Sequence, residues 1–350
     1  MPWGLPAYIT PNVHVRGMLG RMLTAEEWRE LDGSRDALGF LLALKQTSYG
    51  PQLAEFEAVC PPCELLEARL NANVALRFAH IIDLTPKADQ PLVLLLKQLY
   101  EVDNLKTVLR GLQVGESAER MKGFLFPLGR ASSLDMDALL VARDVPELVL
   151  RLQGTPYGDA LRHALARFEE ERSLFPLEVA LDLDYYRRLW RAIQETKGDS
   201  RKWAQQLIGT WYDITNIMWA LRYRYYYDKS LAEIINYTLP YGYRSNDSVI
   251  RGIAAGQEVT PLLRQVWGEA APPAEVGQPG WLPRLEVALH RYLDKLCRAA
   301  LTGYPFHLGV ILAYLMQKRA ETRDLMVLAE AKMSGLRRPA YQDYMVHQFA

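Results

Sequence analysis

The chain has 350 residues, 49% of them hydrophobic and 23% charged, with 41 basic and 41 acidic side chains. This is a globular composition long enough for two or three ordinary domains, and it excludes a disordered chain. The balanced charge leaves no overall field to draw the protein to nucleic acid or to anionic lipid.

No basic-then-apolar signal segment is visible at the start, and the alternation Val13-His14-Val15 is too short for a strand. Thr47-Ser-Tyr49-Gly50 is a turn signal. Cys60-Pro-Pro-Cys63 has redox or metal spacing, but only one further cysteine, Cys297, exists, so the pair reads as a loop feature or at most a local disulfide. Leu66-Glu67 to Leu70 opens a helical stretch. Val102, Leu105, Val108, Leu109 and Leu112 share one face at helical spacing. Turn signals recur at Pro127-Leu-Gly129, Thr155-Pro-Tyr157-Gly158 and Pro240-Tyr-Gly242, where glycine is expected to end helices or take positive φ. Leu177, Leu181, Tyr185 and Leu189 form a second helical face. The segment 269–280 is rich in proline and glycine and reads as a mobile loop. A last long helix is expected after Pro305, ending near Gly335. Its apolar run, Phe306 to Met316, is about half of the roughly 20 residues a membrane span needs. The expectation is a soluble intracellular protein that reaches a membrane only by sitting on another protein.

Much of this pattern is written three times. Glu101-Val-Asp103-Asn104-Leu105 recurs as Asp213-Ile-Thr-Asn216-Ile217, and more loosely as Glu321-Thr-Arg-Asp324-Leu325, at steps of 112 and 108 residues. A Leu-Glu-x-x-Leu motif repeats in phase. Its glutamates, Glu67, Glu178 and Glu286, precede the acids by 34, 35 and 35 residues. Each copy reads as a helical bundle of about 110 residues: 1–121, 122–237 and 238–350. An acid and an amide at i and i+3 share a helix face, which suits a helix packed by its leucines while its polar edge bonds a neighbouring helix or loop. Arg110 and Arg222 keep one offset from the asparagines, and the third copy has Glu330 there. A catalytic group has no reason to recur once per bundle, so the nine residues Glu67, Glu178, Glu286, Glu101, Asn104, Asp213, Asn216, Glu321 and Asp324 read as structural wiring.

The motifs of nucleotide loops, zinc helices and nucleophile elbows are missing. The histidines, His307 among them, lack ligand spacing. Asp135/Asp137 and Asp182/Asp184 come nearest to a metal cluster, though acids at helix N-termini explain them as well. Arg222-Tyr-Arg224-Tyr-Tyr-Tyr227 has the style of a single-strand nucleic-acid platform. On a helix, however, consecutive tyrosines fan apart, so they are expected to cover core edges with hydroxyls outward. No catalytic residue, metal or cofactor is assigned, and nucleic acid is not expected as a partner.

Several segments in order resemble the C subunit of the archaeal and bacterial V/A-type rotary ATPases, a relative of the d subunit of the eukaryotic vacuolar proton pump. Val13 to Leu23 is similar to that family's opening helix. Asp103-Asn104-Leu105 with Arg110, and Asp213 with Asn216-Ile217 and Arg222, are similar to its Asn-Leu/Ile segments. Leu181-Asp182 with Tyr185-Tyr186 matches its Leu-Asp-x-x-Tyr stretch. Tyr304-Pro305-Phe306 to Leu315, running through Glu321 to Gly335-Leu336, is the most specific match. Asp324 departs from the family's asparagine, and 269–280 has no counterpart. The resemblance implies an all-α cone of three bundles around a pseudo-threefold axis. It also implies a non-catalytic, cofactor-free protein that caps the membrane rotor ring of proteolipid subunits and holds the foot of the central axle, with no span of its own. It would be cytoplasmic and peripheral, and ATP hydrolysis would occur elsewhere in the complex. A free-standing helical adaptor and an all-α metal-dependent enzyme remain as alternatives.

Overall fold

The computed structural model describes residues 5–129 and 132–348, so the outer ends of the expected first and third bundles, 1–4 and 349–350, lie outside the described residues. Among the described residues there is no strand, only an isolated bridge between Tyr241 and Asn246, and the chain is all-α. In chain order the helices are α1 (Leu5–Leu19), α2 (Ala25–Gly33), α3 (Ala37–Lys45), α4 (Cys63–Leu84), α5 (Gln90–Gln113) and α6 (Ala118–Phe124). Then come α7 (Met136–Leu140), α8 (Val145–Arg151), α9 (Gly158–Glu171), α10 (Phe175–Glu195), α11 (Gly198–Ala204), α12 (Thr210–Tyr225) and α13 (Leu231–Asn236). The last are α14 (Asp247–Ala254), α15 (Val259–Trp267), α16 (Trp281–Thr302), α17 (Leu308–Met333) and α18 (Arg338–Tyr341). A π-helical turn, Gln205–Gly209, joins α11 to α12 without a break.

The short helices start where the sequence supplies a cap. Thr24, Asp36, Asp135, Asp144 and Asn246 each accept a first-turn backbone N–H of the helix that follows. The long helices are held by packing. Contacts run from α4 to α5, α5 to α10, α10 to α11, α12 to α16, α16 to α17 and α17 back to α4, so the long helices close a ring. The expected faces are at its core: Val102, Leu105, Val108 and Leu109 are fully buried on α5, as are Leu177, Leu181, Tyr185 and Leu189 on α10.

The two ends of the chain share a second, smaller core. Trp28, Phe40, Leu41 and Tyr49 from the first short helices and their turn pack with Leu325, Leu328 and Ala329 of α17 and with Tyr341 of α18. Burying that many large apolar groups ties the N-terminal short helices to the end of the chain.

Several expectations are corrected, and others are met. Only Gly129 of the four turn glycines has positive φ, at 58°. Gly50 and Gly158 begin helices instead, and each lies against a carbonyl: a Cβ would sit 2.3 Å from the Lys45 oxygen or 2.4 Å from the Leu152 oxygen. At Gly242 a Cβ would meet Asp213 Oδ1 at 2.1 Å. Close approach, not φ, selects glycine at these three positions. Tyr225 and Tyr227 lie at core edges, with ring centroids 5.2 Å from Trp281 and 6.2 and 6.3 Å from Phe175 and Tyr223, whereas Tyr226 is 58% exposed. The loop 269–280 is tethered: Ala274 N–H donates to Thr260 Oγ1 at 3.0 Å, and Arg284 donates to the Pro279 carbonyl at 2.7 Å. Cys60 and Cys63 are free thiols. The last long helix spans Leu308–Met333, and Gly335 follows with φ 64°.

Candidate functional site

The repeated polar residues sit on α5, α12 and α17, the later long helix of each expected bundle, and they hold loops that follow. Asn104 accepts from the Phe126 N–H at 2.8 Å and donates to the carbonyl of that same residue at 2.9 Å. Asn216 makes the same two bonds with Leu239, at 2.9 and 2.8 Å. Asp324 cannot donate, so it accepts three times: from the N–H groups of Val346 and His347, at 2.8 and 2.7 Å, and from the His347 ring at 2.7 Å.

The acids three residues earlier hold a second loop each. Glu101 accepts from Ser133 N–H, Ser133 Oγ and the Tyr157 hydroxyl at 2.6, 2.7 and 2.6 Å. Asp213 accepts from the N–H groups of Tyr243 and Arg244 and from Ser245 Oγ at 2.9, 2.7 and 2.8 Å. Glu321 accepts from Leu23 N–H, the Tyr49 hydroxyl and Lys318 Nζ at 2.8, 2.8 and 2.7 Å. All six residues are buried, where an unmade bond is expensive. Burial first, then the facing carboxylates, push the Tyr49 and Tyr157 hydroxyls well above their ordinary range, so both stay neutral donors.

The Leu-Glu-x-x-Leu glutamates lie on α4, α10 and α16 at the seams of the ring. Glu178 receives Arg110 of α5 at 2.6 Å, and Glu286 receives Arg222 of α12 at 2.6 Å. Both pairs are partly exposed, so each contributes at most about 1 kcal/mol and acts mainly in register. Glu67 has no salt-bridge partner among the described residues. It shares a pocket with Asp103 and Glu330, and burial followed by these acids raises its carboxyl.

Inside the ring lies a cavity of about 490 Å³ reached by side chains of all the long helical stretches. Arg319 of α17 crosses it, lying 4.9 Å from the Trp211 ring and 5.6 Å from the Tyr100 ring. His290, also on its wall, is pushed down to about 3 by burial and by Arg323, Arg319 and Arg222, so it is neutral. Arg319, Lys318 and the two tyrosines Tyr49 and Tyr157 were not singled out in the sequence. The matched Thr-x-Tyr-Gly turns were the signal that could have pointed to the tyrosines.

The four aspartates of the metal alternative do not converge. Asp135 caps α7 and Asp137 pairs with Lys122 at 2.5 Å. Asp182 and Asp184 lie within α10, not at a helix start, and pair with Lys106 and Arg188 at 2.5 and 2.8 Å. Among the described residues no group of three or more His, Cys, Asp or Glu side chains could hold a metal ion. No described helix is long and apolar enough to cross a membrane. His307 precedes α17 and stacks on Trp203 at 4.2 Å.

The third loop carries a pH dependence. Burial alone would lower the His347 pKa, but the bond and charge of Asp324 outweigh it and raise the value above 6.5. A raised folded value means that the pair's stabilisation is fully present below the unfolded value of about 6.5 and is lost as pH rises through the folded one. Urea midpoints are therefore expected to fall from pH 6 to pH 9, and His347→Gln should flatten that fall. An unchanged slope in the variant refutes the assignment.

Residues 11–344 match the sequence model of the family described as ATP synthase (C/AC39) subunit. The C subunits of several archaeal A-type ATP synthases are similar over most of their length. The one from Pyrococcus abyssi is 26% identical, covering 96% of this chain and 89% of the relative. That from Methanosphaera stadtmanae is 26% identical, covering 93% and 84%. That from Haloferax volcanii is 26% identical, covering 95% and 94%.

Proposed function

Since this chain belongs to the ATP synthase (C/AC39) subunit family, we propose that it is a non-catalytic rotor component that couples the central axle of a rotary ATPase to its membrane ring. The observation that carries this reading is the closed ring of long helices, with its buried carboxylate and amide clamps. Torque crossing a non-covalent joint needs a body that does not bend. Close-packed helices supply stiffness, and clamps that fix each loop to a long helix keep the ends from fraying.

In this reading the segments 1–121, 122–237 and 238–350 are equivalent modules around a pseudo-threefold axis, forming a cone. The matched bonds of Asn104, Asn216 and Asp324, and of Glu101, Asp213 and Glu321, favour that equivalence. So do the two seam pairs at Glu178 and Glu286. The nine repeated residues are then structural wiring. The axle foot rests in the mouth of the ring without threading it, because a helix about 10 Å across fills a space of about 400 Å³ with one turn. Exposed apolar groups follow the C-terminal ends of α5, α12 and α17: Val114, Tyr226 and Leu336 at 76%, 58% and 48%. They suit contact with a partner at one end of the body. The protein is peripheral, on the cytoplasmic side, through its complex.

Mixing the purified chain with axle subunits, and separately with detergent-solubilised rotor ring, tests the reading. Co-elution with each at micromolar concentration is expected, since each contact should bury on the order of 1,000 Å². Failure with both overturns it and leaves the free-standing adaptor.

A further inference from the structure

The seams between long helices are not alike. Where α5 meets α10, Lys106 and Arg110 pair with Asp182 and Glu178 at 2.5 and 2.6 Å. Where α12 meets α16, Arg222 pairs with Glu286 at 2.6 Å. The third seam sets α17 against α4. Met326 and Glu330 follow Asp324 at the offsets by which Lys106 and Arg110 follow Asn104, and Asn71 follows Glu67 as Asp182 follows Glu178. A thioether and a carboxylate therefore stand where the first seam has an ammonium and a guanidinium.

The consequence is an unfilled place. A pocket of about 280 Å³ opens at this seam, lined by Glu67, Asn71, Asp103 and Glu330 among others. Asn71 is only 8% exposed, and its side-chain amide has no hydrogen-bond partner among the described residues. The amide faces the pocket, where a ligand could take up its oxygen and its N–H groups. Among the described residues the carboxylates of Glu67, Asp103 and Glu330 lack salt-bridge partners, whereas Glu178, Asp182 and Glu286 have theirs. Arg319 and Arg323 also line the pocket, but Arg319 lies on the Trp211 and Tyr100 rings with its charge felt by Asp103, Arg323 lies 3.7 Å from Glu286, and among the described residues neither makes a salt bridge to Glu67 or Glu330.

We propose that this third seam is a docking notch for an arginine side chain presented by a protein partner of the rotary assembly. The proposal rests on the rotor reading above. The sister seams identify the occupant, since both place a guanidinium on the equivalent glutamate. A planar guanidinium has five donors in a fork that meets carboxylates bidentately, and Glu67, Glu330 and the Asn71 amide oxygen offer it acceptors. The chain thus completes two seams from within and leaves the third for its partner, which also fixes one rotational setting on a body of threefold character.

Glu330→Arg should close the third seam from within. The isolated variant is expected to melt higher than the wild type, yet bind the axle and ring assembly, purified without this chain, about tenfold or more weakly. Glu330→Gln, which removes the charge of this exposed carboxylate without adding another, should weaken binding in the same direction and flatten its salt dependence. If the wild type binds and both variants match it in affinity and salt dependence, the notch is refuted and the rotor reading survives. If the wild type itself fails to bind axle and ring, the rotor reading falls and the notch with it.

Discussion

Glu321→Ala is expected to destabilise the chain by about 3–5 kcal/mol, the cost of leaving a buried charge without its partner. Lys318 and Glu321 are 2% and 1% exposed at the side chain, with Nζ and Oε1 2.7 Å apart. Desolvation lowers the Lys318 pKa and the glutamate raises it back, so the ammonium depends on that one neighbour and on the Tyr49 ring face, 4.1 Å away. The same carboxylate accepts from the Tyr49 hydroxyl and the Leu23 N–H. Its loss therefore unpins the N-terminal short helices from α17, and this edge should open before the rest of the ring. Urea unfolding should show the lowered stability, and hydrogen exchange should show α2 and α3 losing protection first. Lys318→Met added to Glu321→Ala should restore much of the loss, because an apolar replacement removes the stranded charge. A single-variant loss under about 1 kcal/mol would refute the claim that the pair is buried and coupled.

The sequence was most legible where one residue type has one physical use. The faces through Leu105 and Leu181 follow from spacing alone, since one side of each helix meets the core. The end of α17 follows from Gly335, which takes positive φ as a C-terminal glycine should. The in-phase acids and glutamates were visible as a repeat, but their partners were not. Asn104 bonds a backbone 22 residues away, and Tyr49 bonds a carboxylate 272 residues away. No local pattern encodes which loop meets which helix. Gly50, Gly158 and Gly242 misled because a turn motif suggests a dihedral need, while close approach of a distant atom is invisible before folding. Asp182 looked like a helix-start acid because nothing local announces Lys106 on the neighbouring helix. Family membership supplies what spacing lacks: it joins local signals into one assembly.

Asn216→Ala is expected to cost about 2–6 kcal/mol, because it orphans two buried groups on Leu239 at about 1–3 kcal/mol each. The amide is 1% exposed, and Leu239 is equally buried, so water cannot readily replace the lost bonds. Asn216→Asp is the sharper test. A carboxylate still accepts from the Leu239 N–H but cannot donate to its carbonyl, and it brings a charge into a site with Asp213 one turn away on the same helix. Asp324 tolerates its carboxylate because two backbone N–H groups and His347 surround it. No histidine stands near Leu239 in sequence: Thr238 precedes it and Pro240 follows. The aspartate variant should thus lose more stability between pH 5 and pH 8 than the wild type, whose own fall comes from His347, because protonation at pH 5 returns a donor. Urea midpoints of wild type, Asn216→Ala and Asn216→Asp at both pH values decide it. If Asn216→Asp equals the wild type at pH 8, the two-way bond to Leu239 contributes nothing that a one-way bond lacks, and the account of why two clamps are amides and the third a carboxylate fails.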